Sequence, residues 1–244
     1  MTTPSDLAGK VVLVTGASRG IGYATAKEVA RRGAHVIAMA RTVGGLEDLD
    51  DEIQALGGSA TLVPADITDG DAIDRLGAAI FERWGHLDGL IGNAGVLGVI
   101  TPLPHLAPDE FAKVMAVNVT ANYRLIRSMD LLLRQSTAGR LVLVSSGAAV
   151  AAKPYWGAYS ASKAAVDVMI KTYAAEMANT AVRANIFYPG AVRTAMRAKA
   201  VPGENPDSLP HPNDIAPALV DMIEPAYAAT GQRFNIRTGQ TTAL

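Results

Sequence analysis

V-V-L-V-T-G-A-S-R-G-I-G, residues 11–22, decides how this chain is read. Val11, Val12, Leu13 and Val14 form a short apolar run, the pattern of a buried strand. Thr15 and three glycines follow, Gly16, Gly20 and Gly22. Ile21, Ala24, Thr25 and Val29 then recur at helical spacing. The order is strand, glycine-rich turn, helix. Glycine lets backbone approach a ligand, because no Cβ intervenes. A helix start offers unpaired N–H groups and the positive end of its dipole. Together they suit a pyrophosphate. The spacing here is G-x-x-x-G-x-G, not the commoner G-x-G-x-x-G. Alone, the turn fits either a phosphate cradle or a bare strand-to-helix connection.

The bulk numbers narrow the class. The chain has 244 residues, a length that suits one large α/β domain over residues 1–244. It is 49% apolar and 18% charged, which supports a sizeable core and argues against disorder. The net charge of −1 gives no basic excess for nucleic acid or an anionic membrane. Without cysteine there is no disulfide, thiolate nucleophile or thiolate metal site. His35, His86, His105 and His211 are isolated, with no metal-ligand spacing, so no metal is expected. Residues 1–9 are short and polar, without the pattern of a secretory leader. No apolar run is long enough to span a bilayer, and the expected location is the cytoplasm.

Apolar runs and helical patterns alternate along the chain. Strands are expected at residues 11–14, 35–40, 61–63, 89–92, 140–145, 182–188 and 232–236. Helices are expected at 46–56, 69–84, from 108 towards Arg134, at 159–177 and at 214–222. This alternation predicts a doubly wound Rossmann fold: a parallel sheet of about seven strands with helices on both faces. Residues 195–211 carry Pro202, Gly203, Pro206 and Pro210, and fit either a substrate lid or a mobile surface excursion.

In such sheets ligands lie beyond the carboxyl ends of the strands. The second exit is Ala40-Arg41, where an arginine suits an adenosine 2′-phosphate. The third is Ala65-Asp66-Ile67, where Asp66 either meets an adenine amine or caps a turn. The fourth is Asn93-Ala94-Gly95, small enough for backbone to approach a ribose. The fifth ends at Ser145 and Ser146, with Tyr159 and Lys163 following four residues apart on one helix face. A nearby ammonium lowers a tyrosine pKa and would let the phenol exchange a proton near neutral pH. The pair also fits an ordinary surface contact.

Taken in order, these motifs resemble the short-chain dehydrogenase/reductase family, in its single-domain branch, over residues 7–238. The most specific of them are T-G-A-S-R-G-I-G, N-A-G, and Y-x-x-x-K with a serine thirteen positions before the tyrosine. The resemblance implies that Tyr159 is the general acid/base and that Lys163 tunes it and holds the nicotinamide ribose. Ser146 would bind the reacting carbonyl oxygen. Asn118 would disturb the long helix and hold a water of a proton relay. It implies a cofactor site of Gly16, Ser18, Arg19, Gly20, Ile21, Gly22, Arg41, Asp66, Ile67, Asn93, Ala94, Gly95, Tyr159, Lys163, Pro189, Gly190, Val192 and Thr194. The cofactor expected is NADP(H), because Arg19 and Arg41 flank the 2′ site and Ala40 stands where NAD-preferring relatives carry an aspartate. Both arginines also fit a role as exposed counter-charges.

The substrate expected is a small carbonyl or alcohol. Leu97, Ala148, Ala149, Trp156, Tyr188, Met196 and Arg197 are candidate pocket residues; Arg197 fits a contact to a substrate carboxylate or phosphate, and fits better a solvent-facing place on the lid. A homodimer or homotetramer is expected, because two helices carry more apolar residues than one sheet covers. The chain departs from the family at residues 234–239, F-N-I-R-T-G, where the usual aspartate is missing. Two rivals stand beside the oxidoreductase: a non-catalytic NADP-binding regulator, and a nucleotide-sugar epimerase or dehydratase. Too few residues follow Tyr188 for the latter's substrate domain.

Overall fold

Val11–Thr15 forms β1, and all five residues are buried. Its side chains alternate between two cores, as the period of a strand requires. Val11 and Leu13 enter one core, with Ile37, Leu90 and Leu141 from neighbouring strands. Val12 and Val14 enter the other, with Val36, Ile91 and Val142. A strand covered on both faces favours apolar side chains on either side, hence the uninterrupted apolar run Val11–Val14 before Thr15 at its exit. This computed structural model describes residues 7–151 and 153–244. Most of the expectation for residues 1–9 therefore falls outside the described residues.

The other strands are β2 (His35–Ala40), β3 (Ser59–Pro64), β4 (Gly89–Gly92), β5 (Arg140–Val144), β6 (Arg183–Tyr188), β7 (Gln232–Asn235) and β8 (Gln240–Ala243). They form one sheet in the order β3-β2-β1-β4-β5-β6-β7-β8. β1 pairs in parallel with both β2 and β4, so the strand order reverses at β1. A crevice opens at such a switch point, at the carboxyl ends of the strands. The expected count of about seven strands falls one short. β8 runs antiparallel to β7 and adds an eighth, in a polar stretch with no apolar alternation to mark it.

Helices α1 (Gly20–Arg31), α2 (Val43–Ala55) and α9 (Pro212–Asp221) supply residues to the core that holds Val12. Helices α3 (Gly70–Trp84), α5 (Ala121–Gln135) and α7 (Gly157–Glu176) supply the opposite core. α3 begins where Asp69 accepts a hydrogen bond from the Ala72 amide and ends at Gly85, whose φ is 72°. These are the usual start and stop of a helix. The helix expected from residue 108 onward is broken in three. α4 (Pro108–Met115) passes through a π-helical turn at Ala116–Thr120 into α5. Asn118 lies inside that turn, as the disturbance expected there required.

Two shorter helices complete the chain: α6 (Ala148–Ala151) and α8 (Ala195–Ala200). α8 and a 3₁₀ turn at Pro206–Ser208 lie within residues 195–211, so this stretch is not a structureless loop. Ion pairs tie it together, Arg197 to Glu204 at 2.5 Å and Arg193 to Asp207 at 3.2 Å. Arg197 therefore does not face solvent freely; its side chain is 22% exposed. No helix among the described residues is long and apolar enough to cross a membrane.

Candidate active site

A cleft of about 1800 Å³ follows the carboxyl ends of the strands from β3 to β6. The glycine turn forms its floor. Gly16 and Gly20 have φ of 67° and 61°, a region that side chains avoid. Arg19, at the N-cap of α1, offers no side-chain hydrogen bond to the helix start. The first amides of α1 therefore meet the cleft without a side-chain cap, as an anion site needs. Gly22 differs from the expectation. It does not line the cleft. A Cβ there would come within 2.3 Å of the Gly16 carbonyl, so Gly22 lets α1 pack onto its own turn.

Hydrogen bonds join the strand exits. Thr15 Oγ1 accepts from the amides of Asn93 and Ala94, each at 3.1 Å. The Asn93 side chain donates to the Thr15 carbonyl at 3.0 Å. Asn93 thus spends its amide on fixing the first turn. Asp66 caps its own turn, one of the two readings of it, and also borders the cleft. Its Oδ1 accepts from the amide and hydroxyl of Thr68, at 2.8 and 2.7 Å, while the residue lines the cleft. Those bonds hold its carboxyl below the usual range, with help from Arg41 at 3.6 Å. Ser18, Arg19, Ile21, Ile67, Ala94 and Gly95 all face the cleft. So do Pro189, Gly190, Val192 and Thr194 on the β6 side. The Thr194 hydroxyl also caps α8, accepting from the Arg197 amide at 3.2 Å.

Ser146, Tyr159 and Lys163 converge on the cleft wall. Lys163 Nζ lies 5.7 Å from the Tyr159 ring centroid and donates to the Val144 carbonyl at 2.9 Å. The expected lowering of the tyrosine does not emerge. Burial pushes the Tyr159 phenol up, and a hydrogen bond with Ser146 only partly offsets this. The lysine is itself buried, and desolvation lowers it to about 8. A buried ammonium turned to a backbone carbonyl favours the phenolate less than one facing the hydroxyl.

Asn118 is fully buried and does not line the cleft. Its side chain accepts from the Val96 amide at 2.8 Å and donates to the Val96 carbonyl and Ser162 Oγ, each at 2.9 Å. It joins the loop after β4 to α7 beside Lys163. A Cβ on Gly95 would lie 3.2 Å from Asn118 Oδ1, a tight approach, and 3.6 Å from Lys163 Nζ, an ordinary contact, so glycine keeps the space beside both uncrowded. Of the expected pocket residues, Leu97, Ala148, Trp156, Met196 and Arg197 line the cleft. Ala149 packs against the core and Tyr188 is buried within it. Arg237 was missed. It lines the cleft from the β7–β8 turn, with its stem over Gly190. Only the unusual F-N-I-R-T-G marks it in sequence.

The fit of a dinucleotide to this cleft follows from the glycine floor and the open helix start. An α/β sheet with such a floor at its switch point and Ser146, Tyr159 and Lys163 on its wall has the frame of a dinucleotide-dependent oxidoreductase. The chain belongs to the short chain dehydrogenase family, whose sequence profile matches residues 10–205. It is 35% identical over 239 residues to the uncharacterized oxidoreductase YciK of Escherichia coli, covering 96% of this chain and 94% of that one. A short chain dehydrogenase structure from Pseudomonas syringae superposes with a TM-score of 0.93 at 38% identity, covering 96% and 97% of the two chains. Another, from Escherichia coli in complex with NADPH, superposes with a TM-score of 0.89 at 35% identity, covering 96% and 99%.

Proposed function

We propose that this protein transfers a hydride between NADP(H) and a carbonyl/alcohol pair. The observation that carries this is the convergence of Ser146, Tyr159 and Lys163 on the wall of a cleft floored by the glycine turn. When bound, the nicotinamide supplies or receives the hydride. The start of α1 and Arg19 hold the phosphates, and Asp66 and Ile67 border the adenine. Ser146 positions the carbonyl oxygen by a hydrogen bond. In reduction Tyr159 gives that oxygen its proton; in oxidation it takes the proton back. Burial keeps the phenol protonated at neutral pH, which favours the donating role. Lys163 holds the ribose and replenishes the tyrosine's environment with positive charge. Asn118 holds the loop and helix that frame Lys163.

The chain works as one unit over residues 1–244, with residues 195–211 as the substrate lid. The apolar Leu97, Trp156 and Met196 suit a hydrophobic ketone or aldehyde. The test is NADPH oxidation across a panel of carbonyl compounds. Turnover of at least one apolar ketone or aldehyde is expected. Tight NADPH binding with no turnover of any would favour the non-catalytic regulator.

Assembly follows from the helix surfaces. Leu125, Met129, Val166 and Ile170 are consumed by the core. Tyr123 and Leu131 on α5 and Val168 on α7 are instead 52%, 71% and 64% exposed. Exposed apolar residues on adjacent helices suit a second copy of the chain. Light scattering at micromolar concentration is expected to give a dimeric or tetrameric mass. The variant Leu131→Glu with Val168→Glu is expected to shift it to the monomer. A monomeric mass for the unsubstituted protein would refute this.

A further inference from the structure

Behind the catalytic wall lies a buried charged cluster that the proposed chemistry leaves unused. Asp167 follows Lys163 by four residues on α7, and the two are 7% and 5% exposed. Residues at this spacing are neighbours on one helix face. The Tyr188 hydroxyl donates to Asp167 Oδ2. Arg233 Nη2 donates to the same oxygen at 3.2 Å. The Arg233 guanidinium also lies over the Tyr188 ring, 4.7 Å from its centroid. Three elements, α7, β6 and β7, thus fix this carboxylate. Its other oxygen, Oδ1, is buried with no hydrogen-bond partner among the described residues. A buried carboxylate with one oxygen unspent is costly unless charge nearby compensates it.

We propose that Asp167 is a positioning residue that keeps the buried Lys163 ammonium charged, with Tyr188 and Arg233 holding its carboxylate in place. The catalytic consequence rests on the oxidoreductase reading above; the charge coupling does not. Lys163 needs this support, because burial alone drives it towards the neutral amine. Desolvation already brings it down to about 8, and the charge of Asp167 opposes that fall. A neutral Lys163 would neither favour the phenolate of Tyr159 nor offer a full charge to a ribose.

The other groups facing the pair are few. Tyr159 lies on the same helix, Tyr188 on β6 and Arg233 on β7. Ser145 borders Lys163 from the end of β5, its hydroxyl donating to the Lys163 carbonyl at 3.4 Å. The π-helical turn and α5 present Asn118 and Asn122, which carry no charge. α6 is built of alanine and valine. α4 presents the Glu110–Lys113 pair, 3.9 Å apart on the cleft rim.

The sign of the effect differs between the two ends of the cluster. Asp167→Asn removes the charge that supports Lys163, so the lysine should fall by about 1–3 pH units. Arg233→Met removes a cation that competes for the same carboxylate, while the Tyr188 hydroxyl still holds it, so Lys163 should rise. Damage to packing alone would not produce opposite shifts. The measurement is the ¹³Cε titration of the full chain labelled in lysine, with the Lys163 signal assigned from Lys163→Arg. It needs no turnover, so failure of the oxidoreductase reading would leave its result intact. A fall in Asp167→Asn, recovered by Asp167→Glu, supports the proposal. A Lys163 midpoint unmoved in Asp167→Asn overturns it, as does a fall in both variants. If Asp167→Asn does not fold, Arg233→Met decides: a raised Lys163 supports the proposal, and one unchanged or lowered overturns it.

Discussion

Tyr159→Phe is expected to lower kcat by about 10²–10⁴-fold, the usual worth of a general acid/base. The ring remains, and with it the edge-to-face contact to Trp156 at 5.8 Å between centroids. Packing and the cleft wall should therefore survive, and the Kd for NADPH should change little. The loss belongs to the proton, so it should appear in kcat and kcat/KM together. The two directions should also differ in pH dependence. Burial holds the phenol protonated at neutral pH, the form that donates to a carbonyl oxygen. Oxidation of the alcohol needs the phenolate, so its rate should climb as pH rises through the tyrosine's elevated value. Steady-state rates in both directions, on any substrate the panel yields, check this. A Phe variant that turns over at near the unsubstituted rate would remove Tyr159 from the chemistry.

The frame of the molecule was legible because parallel strands write themselves plainly. Residues 11–14, 36–40 and 141–144 are apolar runs, since two layers of helix leave no polar face. The strand exits followed from the strands, and so did the residues at them. The sequence was silent where contacts decide. β8 has no apolar alternation; its pairing with β7 makes it a strand. Gly22 reads like Gly16 and Gly20, yet it serves a helix-to-turn contact instead of the cleft. Arg197 read as a solvent-facing cation, because its partner Glu204 is brought back only by the fold of residues 195–211. The height of Tyr159 was misjudged for a similar reason. Spacing places Lys163 beside it, but only the fold turns the ammonium to the Val144 carbonyl. Asp167 and Arg233 are 66 positions apart and meet only across α7 and β7.

NADPH is expected to bind about 10–100-fold more tightly than NADH. Ala40 ends β2 with its carbonyl bound by the Ala65 amide, so the strand exit is fixed, and position 40 itself carries no carboxylate to compete for the ribose or repel a phosphate. Arg41 follows it on the cleft rim, and Arg19 borders the same cleft from the glycine turn. Both arginines are exposed, so the view of them as counter-charges is partly right. Arg41 does lie 3.6 Å from Asp66 Oδ2. Yet an exposed, single-contact pair is weak, and a phosphate with nearly two charges competes well for the same guanidinium. A charge-assisted hydrogen bond is worth about 1.5–3 kcal/mol, less after screening at an exposed rim. One such contact with a weaker second gives the stated preference, at about 1.4 kcal/mol per tenfold. Ala40→Asp with Arg41→Leu should move preference towards NADH, by lost attraction and new repulsion together. Kd values for NADPH and NADH at low and high salt decide the matter. A preference that shrinks with salt marks the electrostatic cause. Equal affinities at low salt, or a tighter NADH, would overturn the assignment.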